Sequence, residues 1–131
     1  MAGDRPATGA SRARALAQVQ RLHHEWIKAY ATERGVVAAA EMIGDTDRRS
    51  TTVARTKQHT AAYARALITL AGSVDDGEVT AALIEWGEAI IAGLGRAQDM
   101  DDIRILPFAG PALTASRKIE ALSATLPPPA G

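Results

Sequence analysis

The chain contains no cysteine, which excludes disulfides, thiolate nucleophiles and cysteine-ligated zinc or iron–sulfur centres. Aromatic side chains are few: Trp26, Tyr30, Tyr63, Trp86 and Phe108. They do not interleave with basic residues as a platform for single-stranded nucleic acid would. Long apolar runs are missing as well. The most apolar stretch, Val79 to Leu94, carries Glu85 and Glu88 and is too short to span a bilayer, so no membrane partner is expected. Net charge is zero over the 131 residues. No glycine-rich phosphate loop, serine elbow or EF-hand pattern occurs; the acidic group Asp99, Asp101 and Asp102 lacks the glycine and closing glutamate of a calcium loop.

What the chain has in quantity is alanine. Of its hydrophobic residues 28 are Ala, leaving 33 with bulk enough to fill a core. Alanine is the best helix former, so the composition predicts closely packed helices with thin interfaces, a core that gains from self-association. Arginine outnumbers lysine twelve to three, a bias of GC-rich genomes that points to a bacterial or phage protein of the cytoplasm.

Glycines and capping residues punctuate the sequence into helices. Residues 1–10 read as a flexible tail, 11–126 as one helical-bundle domain and 127–131 as a proline-rich C-terminal tail. Ser11 is placed to cap a first helix with the stripe Leu16, Val19, His23, Trp26, Ile27 and Tyr30, opposite a polar face of Arg14, Gln18, Arg21, Glu25 and Lys28. Gly35 is expected to stop or interrupt it, with a short helix from Val36 to Ile43 ending at Gly44. After a polar turn at 45–50, Ser50 would cap a helix bearing Val53, Thr60, Ala64, Leu67, Ile68 and Ala71. Asp75 and Glu78 have capping-box spacing, with Val74 and Val79 as a staple, and start a helix that runs to Leu94. Residues 95–110 read as irregular, and Pro111 opens a last helix carrying Leu113, Ile119 and Leu122. The fold class is therefore all-α, a compact bundle of about five helices with short disordered termini.

The helix from Glu78 to Leu94 has one apolar stripe at Val79, Leu83, Trp86 and Ile90, and a second row at Ile84, Gly87 and Ile91. So much apolar surface predicts the central helix of the domain. The second row is alternatively a seam with another subunit, the glycine allowing close approach.

The histidines give no metal site. His23 and His24 point about 100° apart on a helix, and neither has a ligand at i+4. His23 falls in the apolar stripe, as a hydrogen-bonded core imidazole; His24 and His59 fall on polar faces, as solvated side chains. No catalytic residue, metal ligand or cofactor is assigned.

Charge is divided along the chain. Residues 1–71 hold eleven Lys and Arg against six Asp and Glu, and residues 72–131 hold four against nine. Such asymmetry points to charged partners. The segment 39–44 with 50–55 resembles a helix-turn-helix: Ala39 to Gly44 as the end of a first helix, and Ser50 to Arg55 as the start of a recognition helix. Ser50 stands where the apolar anchor of that motif belongs and the turn is longer, so the motif is a modified one. The resemblance implies contact roles for Arg48, Arg49 and Arg55, and Arg65 lies on the same outer face. The sequence thus leads to a non-enzymatic helical interaction protein, a subunit or adaptor of a larger assembly whose basic N-terminal half faces an anionic partner. Its partner would be a protein or another copy of itself. The alternative is a nucleic-acid-binding protein using residues 36–65, and the third reading a small helical enzyme without a recognisable motif.

Overall fold

The computed structural model describes residues 4–124, with side chains from residue 12 onward. Among them the protein is an all-α bundle: α1 (Asp4–Ile43), α2 (Thr46–Ala71), α3 (Gly77–Leu94), α4 (Met100–Ile105) and α5 (Pro111–Ala124), with a single 3₁₀ turn at Leu106–Phe108. No described helix is long and apolar enough to cross a membrane. The tail expected at 127–131 lies outside the described residues; of the one expected at 1–10, residues 4–10 belong to α1.

The first two expected helices are one. α1 runs past Ser11 and straight through Gly35, which is exposed with nothing near its missing side chain. A mid-helix glycine costs only about 1 kcal/mol against alanine, and the buried Val37 and Ala40 beyond it hold the helix to its neighbours. Gly44 does stop it, at φ +71°, where a side chain would be strained. α2 then starts at Thr46, four residues before the expected Ser50. Asp45 caps it, accepting from the Arg48 backbone N–H at 3.0 Å. The polar turn shrinks to two residues.

α1 and α2 form a long antiparallel hairpin, with Trp26 against Thr60, Glu33 against Thr56 and Glu41 against Arg49. Residues 36–65 are the closed end of this hairpin. A helix-turn-helix needs two helices crossing at an open angle, and antiparallel pairing replaces that geometry.

α3 is the central helix, packed on α2 along one side and on α5 and the 3₁₀ turn along the other. Val79, Leu83 and Ile90 of its main stripe are fully buried, as are Leu67 of α2 and Ile103 of α4; each contributes about 1.5–3 kcal/mol. Its N-cap is Asp76 rather than Asp75, accepting from Glu78 and Val79 N–H at 3.1 Å. Arg12 of α1 donates to the same carboxylate, its Nε at 2.7 Å from Oδ2, tying the open end of the hairpin to the start of α3. The stretch expected to be irregular folds into α4, capped by Asp99. Asp102 in turn accepts from the Gln98 N–H at 2.8 Å, so two members of the acidic loop are capping groups.

Candidate functional site

The outer face of α2 is built as its periodicity predicts. Arg55, Gln58, His59, Ala62 and Arg65 are exposed, while Val53, Thr60, Ala64, Leu67 and Ala71 are buried and Ile68 is half-buried. The four arginines expected at a partner contact divide into two kinds. Arg48 and Arg49 sit at the hairpin end beside carboxylates: Arg48 Nε lies 3.7 Å from Asp45 and Arg49 Nε donates to Glu41 at 2.9 Å. Arg55 and Arg65 have no carboxylate partner among the described residues. Arg48 and Arg55 share one face about 10 Å apart, and Arg65 lies about 15 Å further along the helix. Between α1 and α2, at the tip, Met42 and Ile43 are 87% and 75% exposed.

The possible subunit seam on α3 is not one surface. Gly87 is buried inside the chain: a Cβ there would meet the Ala64 carbonyl oxygen and Ile68 Cγ1, each at 2.6 Å. The close approach that glycine permits is to α2 of the same molecule. Ile84 is half-buried and packs on the core, leaving Ile91, 41% exposed, as the outward residue of the row. Glu85 and Glu88 are exposed on that side of α3.

Two features of the α1–α2 interface were not legible from sequence. The first is aromatic. His23, Trp26, Tyr30, Tyr63, Trp86 and Phe108 join in one cluster, with Trp26 stacked on Tyr63 at 5.6 Å and Phe108 edge-on to His23 at 5.3 Å. His23 Nδ1 lies 3.2 Å from the Tyr63 hydroxyl, the hydrogen bond expected of it, although the ring is half-buried at the edge of the core and not within it. Burial, reinforced by the charge of His24, lowers its pKa, and burial raises that of Tyr63. Burial also raises Tyr30, whose hydroxyl donates to the Met100 carbonyl at 2.9 Å. A cleft of about 300 Å³ opens beside this cluster, lined by Leu16, Val19, His23, Trp86, Phe108 and Ile119 among others.

The second is a threonine ladder. Thr52, Thr56 and Thr60 are all buried, each donating its hydroxyl to the carbonyl four residues back. Thr60 Oγ1 accepts from Trp26 Nε1 at 2.9 Å. Thr56 Oγ1 also lies 3.0 Å from Oε1 of Glu33, a carboxylate only 6% exposed. His59, expected to be solvated, sets Nδ1 at 2.9 Å from the other oxygen of Glu33. Threonine reads as polar, and Glu33 and His59 sit on separate helices, so no spacing in the sequence joins them.

No group of three or more potential ligands that could hold a metal ion occurs among the described residues. No protein family, curated protein or solved structure matches the chain.

Proposed function

We propose that the protein acts by binding, as a non-enzymatic subunit or adaptor of a larger assembly whose anionic component meets the outer face of the α1–α2 hairpin. The observation that carries this reading is the division of charge within one packed body. The half of the chain that forms the hairpin has five more basic than acidic residues, and the half that forms α3 to α5 has five fewer. Arg55 and Arg65 stand on the hairpin without carboxylate partners among the described residues, and the exposed Met42 and Ile43 give its tip an apolar contact. Glu85, Glu88, Asp101 and Glu120 are exposed on the other half.

A surface with matching chemistry is therefore present in the protein itself: the acidic side of a second copy. Basic face on acidic face is a heterologous contact, which repeats into rings or filaments. The reading sets the protein in the cytoplasm. Sedimentation velocity at low and high salt tests it, with Arg55→Glu/Arg65→Glu as the variant. Nucleic acid is the competing anion. Binding to a DNA duplex that falls steeply with salt, and is abolished in Arg55→Ala/Arg65→Ala, would replace the protein partner with a nucleic acid.

A further inference from the structure

The seam between α1 and α2 contains a group that two paired helices do not need. Glu33 is a buried carboxylate beside Ala29, Val36 and Thr52. Withdrawing a carboxylate from water costs several kcal/mol before its partners return any of it, and an apolar side chain of similar volume pairs helices as well or better. The two partners of Glu33 are unequal. The single hydroxyl hydrogen of Thr56 faces both Glu33 Oε1 and the Thr52 carbonyl, each at 3.0 Å, whereas His59 Nδ1 has Glu33 Oε2 alone, at 2.9 Å. Glu33 sets the imidazole of His59 against the seam, Nδ1 close to its carboxylate, which leaves Nε2 as the ring's second polar atom.

His59 Nε2 has no hydrogen-bond partner among the described residues, and the side chain is 49% exposed. It borders an open groove of about 390 Å³ whose walls also carry Lys28, Thr32, Thr52 and Arg55. Thr32 and Thr52 give their hydroxyl hydrogens to the carbonyls of Lys28 and Arg48, so they shape the wall and do not donate into it. Lys28 and Arg55 have no carboxylate partner among the described residues, and Glu33 is the one acidic residue of the lining. Its charge is turned to His59 and Thr56. Lys28, Arg55 and His59 thus bring two cationic side chains and an imidazole to the lining of one groove.

We infer that this groove binds a phosphomonoester, with His59 Nε2, Lys28 and Arg55 as donors to its three terminal oxygens. Three donors, at least two of them charged, match a group that carries close to two negative charges on three acceptor oxygens. A carboxylate has two oxygens and one charge. The inference rests on the reading of the hairpin as a surface that meets anions, and adds to the face that would meet acidic side chains a separate site for a phosphoryl group.

Its test is a titration of the full chain, labelled with ¹⁵N, with inorganic phosphate at constant ionic strength, followed through the histidine ring nitrogens. The His59 Nε2 resonance is expected to shift along a saturating curve with Kd of about 1 mM or tighter, while His23 and His24 stay in place. Lys28→Ala and Arg55→Ala each weaken binding about tenfold, as loss of a charged hydrogen bond does. Arg65→Ala, outside the groove, leaves it unchanged. Phenyl phosphate shifting His59 as phosphate does assigns an esterified group, and tighter binding of inorganic phosphate than of the ester assigns the free ion. A shift that does not saturate, one shared by all three histidines, or one equalled by acetate overturns the inference. Sedimentation of Arg65→Glu reads the wider hairpin surface without touching the groove, so either reading can fail while the other stands.

Discussion

Gly87 of α3 lies so close to Ala64 of α2 that a Cβ on it would stand 2.6 Å from the Ala64 carbonyl oxygen. The obstacle is backbone, so it cannot turn aside as a side-chain tip can. Gly87→Ala is expected to lower stability by about 1–3 kcal/mol from overpacking, despite the better helix propensity of alanine. Gly35→Ala makes the contrast. Gly35 is exposed in mid-helix with open space around it, and the same change there should raise stability by about 0.5–1 kcal/mol. Urea unfolding of both variants, read at an unchanged slope, checks the opposite signs.

Asp76 should govern the acid limb of stability. Burial alone would raise its carboxyl, but the Val79 N–H, the Arg12 guanidinium and the Glu78 N–H together hold it below its ordinary value of 3.8. A carboxyl depressed on folding contributes stability that is complete above the unfolded value and is lost as pH falls through the folded one. Asp76→Ala is expected to cost about 1–2 kcal/mol at neutral pH through removal of the cap, and it also removes the tie between Arg12 and the start of α3. Unfolding measured from neutral pH down towards about 2 should show the gap to the wild-type chain closing in acid.

His23 should act at milder pH. Its folded pKa lies below the ordinary 6.5, first because it is buried and second because of His24. The folded chain resists the proton that the unfolded chain takes up, so stability is full above about pH 6.5 and falls as pH drops through that value. His23→Phe, which keeps a ring against Trp26 and Phe108, should flatten the melting temperature between about pH 7.5 and 5.5. An unchanged slope would assign the pH dependence to other groups.

Trp26 and Thr60 give a fourth expectation. Thr60→Val keeps the shape and removes the acceptor of a buried indole N–H, which costs about 1–3 kcal/mol. Denaturant unfolding followed by tryptophan fluorescence measures it. The indole N–H resonance of Trp26 should move towards that of an unbonded group.

The helical class, the helices α2, α3 and α5 and the centrality of α3 were readable because each rests on local signals: a stripe, a glycine, a proline. The boundaries were less so, for reasons that are physical. Gly35 reads like Gly44, yet only Gly44 has positive φ, a difference made by the turn that follows. Asp75 and Asp76 are equally good caps in isolation; Asp76 is used, and its carboxylate also binds Arg12, 64 residues away. Capping by Asp45 in place of Ser50 brings five more residues, 46–50, into α2. The Glu33–His59 pair was hidden for a deeper reason. Periodicity tells which side a residue faces on its own helix and nothing of what stands opposite on the next.

Whether the protein works by binding through the basic face of its hairpin is decided by sedimentation velocity over a range of concentrations at low and high salt. The sedimentation coefficient is expected to rise with concentration at low salt and to return to the monomer value at high salt. Arg55→Glu/Arg65→Glu should remain monomeric throughout while melting within a few degrees of the wild-type chain. A wild-type chain that is monomeric at every concentration and salt, or an association unchanged by the double variant, would contradict binding through that face.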